Sequence, residues 1–153
     1  MRTAPMEIHQ KTDAVCCVLA NHRNPETIVR VLEEYIPGYT PLDVDYAHPN
    51  GQPEVEFGSE TEMITFFCEN MAEVNSFFWN KHHDNPHHIM VGAFFTSDGR
   101  LIMSLSTETN GSIETTFLEG LKKFLGSDVG TLSYIDPPVF EDGNDFKNRY
   151  GKK

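Results

Sequence analysis

The chain has 153 residues, enough for one domain with a sizeable core, and its 39% apolar content with eleven phenylalanines excludes a disordered chain. Acids outnumber bases 23 to 12, a net charge of −11 that argues against direct nucleic-acid binding, which depends on cations meeting phosphate. No apolar run approaches the length of a bilayer span and residues 1–5 lack the apolar centre of a secretory signal, so the expected compartment is the cytoplasm.

Residues 13–21 (DAVCCVLAN) are compact and apolar, and periodicity leaves a buried strand and a short helix equally open. Cys16 and Cys17 read as core. Together with the distant Cys68 they form neither a disulfide framework nor a CxxC motif, as free thiols in a reducing compartment would. Asn24 followed by Pro25 predicts a capped helix start, with Ile28, Val29, Leu32 and Ile36 as its apolar stripe and Pro37-Gly38 as its stop. Leu42, Val44 and Tyr46 alternate with Asp43 and Asp45, and Val55 and Phe57 alternate with Glu54 and Glu56. Asn50-Gly51 between them predicts a hairpin that sets Asp45 opposite Glu56.

Ser59 and Glu62 make a capping box, and the spacing of Met63, Phe67, Met71, Val74 and Phe78 predicts one long helix to about Asn80. A polar histidine loop (KHHDNPHH) follows. Two apolar strands, 89–96 and 101–107, are joined through Ser97-Asp98-Gly99 into a second hairpin. Apolar residues on both of its faces predict a covered, central position. Ser112 opens a helix that Gly126 ends, with Lys122 and Lys123 in the last turn where the helix dipole favours cations. Residues 129–135 predict a strand ended by Pro137-Pro138, and the tail one short helical turn. The order predicts a single α+β domain over 1–153, a mostly antiparallel sheet with about three helices packed against it, and frayed ends at 1–8 and 147–153.

The charge is unevenly placed. Residues 31–80 hold ten acids and no lysine or arginine. This predicts an electronegative surface built from the outer face of the first hairpin (Asp43, Asp45, Glu54, Glu56) and the wet face of the long helix (Glu62, Glu69, Glu73). An EF-hand pattern is absent, and a flat exposed face offers no burial to raise a carboxyl pKa for acid–base work. Any one of these acids alone is most simply a solvated side chain. The histidine cluster His82, His83, Asp84, His87 and His88 could hold zinc, nickel or copper, which would make the chain a small metal-binding protein or metal-dependent enzyme, but its spacing is not HExxH and a solvated loop is the simpler reading. No GxSxG, P-loop or GxGxxG occurs, so no catalytic residue and no cofactor are expected. Trp79 reads as core. A homo-oligomer formed by edge-to-edge pairing of the second hairpin is a third reading.

The stretches HHIMVGAFFTSDGRLIMSLS, SIETTFLEGLKKFLG and GTLSYIDPP, in a small acidic α+β chain, resemble segments of the immunity proteins of bacterial polymorphic-toxin and contact-dependent inhibition systems. The resemblance covers the C-terminal half. It implies a cytoplasmic, non-enzymatic inhibitor whose partner is a cognate protein toxin domain, with neither nucleic acid nor membrane as a direct partner. Charge supplies an independent reason. A toxin that acts on nucleic acid needs a basic cleft, which an acidic protein can fill in place of phosphate.

Overall fold

The run at 13–21 resolves as β1 (Asp13–Leu19), a strand buried on both faces. The computed structural model describes residues 13–44, 48–49, 52, 55–134 and 136–151. Within them follow α1 (Pro25–Tyr35), α2 (Glu60–Glu69), β2 (Asn75–Trp79), β3 (Met90–Phe95), β4 (Leu101–Glu108), α3 (Ile113–Leu125), β5 (Gly130–Tyr134) and α4 (Gly143–Tyr150). The strands form one antiparallel sheet in the order β2-β3-β4-β1-β5. This is the expected α+β architecture, with one helix more than the pattern suggested.

Alternation along β1 divides the core. Cys16 and Val18 face the side covered by α1, α2 and α3, where Ile28, Leu32, Met63, Phe67 and Leu121 meet Phe77, Trp79, Val91 and Phe95. Val15, Cys17 and Leu19 face the other side with Ile102 of β4 beside them, and the Phe146 of α4 packs onto this cluster. The second hairpin is therefore central, with apolar residues on both faces for the reason read from its sequence. Phe67 anchors the larger cluster, its ring meeting Phe66, Phe77 and Phe57 at centroid distances of 5.2, 5.3 and 6.2 Å. Burying each such ring is worth roughly 2–3 kcal/mol by area. Burial pushes the thiols of Cys16, Cys17 and Cys68 up to about 12, so at neutral pH they are protonated core residues.

The caps at Asn24 and Gly126 behave as the sequence indicates, whereas the Ser112 side chain makes no cap bond and Asn110 Oδ1 accepts from Ile113 N–H instead (2.7 Å). Asn24 Oδ1 accepts from Thr27 N–H at 2.9 Å, and Gly126 ends α3 in the left-handed conformation at φ 68°. Three expectations are corrected. The helix that begins after Ser59 stops at Glu69 rather than near Asn80. Asn70 turns back to the Phe66 carbonyl with its side chain (2.7 Å), Glu73 N–H closes a turn onto Asn70 O (2.9 Å), and Asn75–Trp79 pairs with β3 as a strand. As a strand this segment buries Phe77 and Trp79 together, whereas Met71 and Val74, assigned to the helical stripe, are 51% and 54% exposed.

The first hairpin lies largely outside the described residues. Its described residues carry no strand, and Asp45, Tyr46, Asn50, Gly51 and Glu54 lie outside the described residues, with them the Asp45–Glu56 pairing. Prolines 41, 49 and 53 each remove a ladder donor. The local backbone is held by other means: Gln52 N–H on Pro49 O (3.0 Å), Val55 N–H on Gln52 O (3.1 Å), and Leu42 N–H on the Glu60 carboxylate. The tail forms a full eight-residue helix reaching Tyr150 rather than one turn, because Asp142 caps it and Phe146 docks on the sheet. Finally, β3 and β4 each have a partner on both sides, so the second hairpin has no edge to offer another copy.

Candidate functional site

An i, i+3, i+4, i+7 face of α2 (Glu62, Thr65, Phe66, Glu69) lies opposite the extended residues Val55, Glu56 and Phe57, and together they line a groove of about 450 Å³. Its floor is aromatic. Phe57 is 8% exposed and stacks at a tilt on Phe66, with centroids 5.5 Å apart. Its rim is acidic, with Glu56, Glu62 and Glu69 all exposed.

Local chemistry positions these groups. Ser59 Oγ accepts from Glu62 N–H (3.1 Å), and the Glu62 carboxylate accepts from Gly58 N–H (3.2 Å), a capping box displaced by one residue. Glu69 sits in the last turn of α2, which carries no basic residue of its own. The nearest guanidinium, Arg23, spends its donors on the backbone carbonyls of Phe67, Asn70 and Glu73 rather than on a carboxylate. Arg30 lies over the Phe124 ring at 5.1 Å, and Lys122 stands 4.0 Å from Glu119. Among the described residues no lysine or arginine forms an ion pair with Glu56, Glu62 or Glu69. An aromatic floor ringed by carboxylates suits a guanidinium or ammonium, which gains Coulomb attraction at the rim and cation–π contact below.

The remaining predicted residues fall elsewhere. Asp43 is exposed on the segment before the undescribed residues, and Glu73 lies past the end of α2, half-buried. Asp45 and Glu54 lie outside the described residues. Glu60, one of the ten acids of the window, is structural: its carboxylate accepts from Trp79 Nε1 (3.0 Å) and from Leu42 N–H.

The histidine loop is ordered by Asn85, whose side chain bridges Lys81 O and Ile89 O (both 2.9 Å) and accepts from Ile89 N–H (3.0 Å). Its imidazoles diverge. His82 and His83 are exposed, the His87 ring meets Phe117 edge-on at 5.7 Å, and His88 Nε2 stands 3.3 Å from Glu108. Asp84 and His88 take left-handed backbone angles, φ 55° and 53°, that turn successive side chains apart. Among the described residues no three His, Cys, Asp or Glu side chains gather as a metal-holding group.

The sequence places Glu62 and Glu69 on one helix face but does not show the aromatic floor that Phe57 and Phe66 supply. The spacing of Glu62, Thr65, Phe66 and Glu69 was the available signal. A larger cleft, about 560 Å³ between the ends of α3 and α4, carries Glu119 and Asp128 beside Lys122 and Lys123, so its charges offset one another. No helix of the described chain is long and apolar enough to cross a membrane. No protein-family model, curated protein or solved structure matches this chain.

Proposed function

We propose that the chain is a non-enzymatic immunity protein that acts in the cytoplasm by binding a cognate toxin domain, one with a basic cleft such as a nuclease, through the acidic rim and aromatic floor of the α2 groove. The observation that carries this reading is the convergence of Glu56, Glu62 and Glu69, none of them ion-paired among the described residues, around Phe57 and Phe66. Complementary charge speeds encounter and excludes wrong partners, while a basic side chain entering the groove supplies the anchor. Asp43 and Glu73 extend the field beyond the groove.

The test begins with the reading frame next to this chain's own: it should encode a toxin-like domain, whose binding to this chain is then measured, and a neighbourhood without one would overturn the reading. Glu56→Lys and Glu69→Lys are combined with Glu62→Gln, which keeps an acceptor for Gly58 N–H and so spares the cap. The association rate should fall by about 10–100-fold at low salt, and the salt dependence should flatten. Unchanged affinity and salt slope would place the toxin interface elsewhere.

A further inference from the structure

Asn-Gly is the dipeptide most prone to spontaneous deamidation, because glycine leaves its amide nitrogen unshielded beside the asparagine carboxamide. The chain has two such pairs, and Asn110-Gly111 lies at an exposed turn just before α3. The turn requires both members. Gly111 holds φ 90°, a conformation that side-chain-bearing residues rarely adopt, although a methyl there would meet nothing within 4 Å. Asn110 supplies the cap that Ser112 does not, its Oδ1 accepting from Ser112 N–H (2.9 Å), Ser112 Oγ (3.2 Å) and Ile113 N–H (2.7 Å). Cyclisation needs the Gly111 nitrogen and the Asn110 carboxamide free, and in the fold both are engaged. Gly111 N–H is shared between the two Glu114 carboxylate oxygens, each at 3.2 Å. That side chain is buried, and Asn110 N–H and the Tyr134 hydroxyl fix it at 3.1 Å each. Burial opposes its ionisation, but these bonds hold the carboxyl below its usual range, so it is anionic at neutral pH. An anionic acceptor opposes the loss of the amide proton that attack requires.

We infer that Asn110 is a gated deamidation site, closed while Glu114 holds Gly111 N–H and open once the first turn of α3 unwinds. In the open state the Gly111 nitrogen bonds to Asn110 Cγ, the carboxamide nitrogen leaves as ammonia with the amide's proton, and a succinimide remains. Water then opens that ring at either carbonyl. One product is aspartate at position 110, which still caps a helix. The other is isoaspartate, whose extra methylene in the main chain carries Gly111 N–H away from Glu114. The damage falls on a junction, because Glu114 also holds the Tyr134 hydroxyl of β5 and, through its carbonyl, the Cys16 thiol of β1 at 3.3 Å. The modified pair thus records how often α3 has opened from the sheet.

The full chain is incubated at neutral pH, and peptide mapping by mass spectrometry reads the conversion of amide to acid at residue 110 separately from residue 50. Against a synthetic peptide of residues 106–116, the folded wild type should deamidate about 10–100-fold more slowly, the factor that one or two net hydrogen bonds supply. Glu114→Ala frees the Gly111 nitrogen and should recover most of the peptide's rate. Gly92→Ala, which destabilises the sheet away from this turn, should stay as slow as wild type. If the Glu114→Ala chain does not fold, Glu114→Gln replaces it, keeping the shape of the acceptor without its charge, and should also react faster than wild type. A wild type as fast as the peptide, a folded Glu114 variant as slow as wild type, or a Gly92→Ala chain as fast as the Glu114 variant overturns the proposal.

Discussion

Arg23 joins three parts of the chain that share no secondary structure, and replacing it should cost more than its half-exposed position suggests. Its Nε and Nη2 converge on Phe67 O at 3.1 and 2.7 Å, Nη2 also reaches Asn70 O (2.9 Å) and Glu73 O (3.2 Å), and Nη1 bridges Thr96 O (2.8 Å) and Arg100 O (3.1 Å). The guanidinium carbon lies 5.0 Å from the centre of the Phe95 ring. These carbonyls belong to the end of α2 and the base of the β3–β4 turn, so the side chain closes the helix terminus onto the hairpin. Hydrogen bonds from a charged donor contribute about 1.5–3 kcal/mol each in favourable cases. Counting only the shortest bonds, at the low end because water reaches the site, Arg23→Ala should lose about 3–4 kcal/mol. Arg23→Lys keeps the charge but cannot span the fork of acceptors, and should lose about 2 kcal/mol. At about 2–4 °C per kcal/mol for a chain of this size, the alanine variant should melt roughly 6–15 °C lower. Urea unfolding followed by circular dichroism, with the denaturant slope unchanged, measures this. An alanine variant within about 0.5 kcal/mol of wild type would refute the argument, because water would then serve the carbonyls equally well.

Three other outcomes can be checked on the same instruments. Burial opposes ionisation of Glu114, but hydrogen bonds from Asn110 N–H, Gly111 N–H and the Tyr134 hydroxyl outweigh it and hold the carboxyl below its usual range. Its ionised form therefore stabilises the fold fully above the ordinary carboxylate range and is lost as pH falls through the lowered value. Glu114→Ala should cost about 3 kcal/mol at neutral pH. The gap between wild type and Glu114→Gln in acid titrations should narrow only as pH falls below the ordinary carboxylate range. Asp98 accepts from Thr96 Oγ1 (2.6 Å), Gly143 N–H (2.9 Å) and Asn144 N–H (2.8 Å), so Asp98→Ala should loosen the start of α4 by about 1–2 kcal/mol, as the loss of a cap does. Amide exchange over 143–150 would then quicken while α3 stays protected. A methyl at Gly92 would meet Ser104 Oγ and the Phe78 ring, so Gly92→Ala should destabilise by about 1–3 kcal/mol in thermal melts.

Where a boundary is written in neighbouring residues, the sequence located it. Asn24-Pro25 and Gly126 mark helix ends because the capping groups lie within a turn of the backbone they serve. The β3–β4 hairpin was legible because its turn and both apolar strands are contiguous. The end of α2 was not. Met71, Val74 and Phe78 continue a helical period, yet Arg23, distant in sequence, competes for the last carbonyls, and β3 offers Asn75–Trp79 a ladder. The same limit applies to the groove, since Glu62 and Glu69 share a helix face by spacing but Phe57 reaches them only through tertiary packing.

Composition and periodicity alone determined the α+β class, the acidic window and the start of every helix but the last, because charge and amphipathic spacing are properties of the chain itself. Strand order and the aromatic floor beneath the carboxylates were decided only in the folded molecule. They depend on which distant segments compete for one set of backbone partners, and that competition has no local signature.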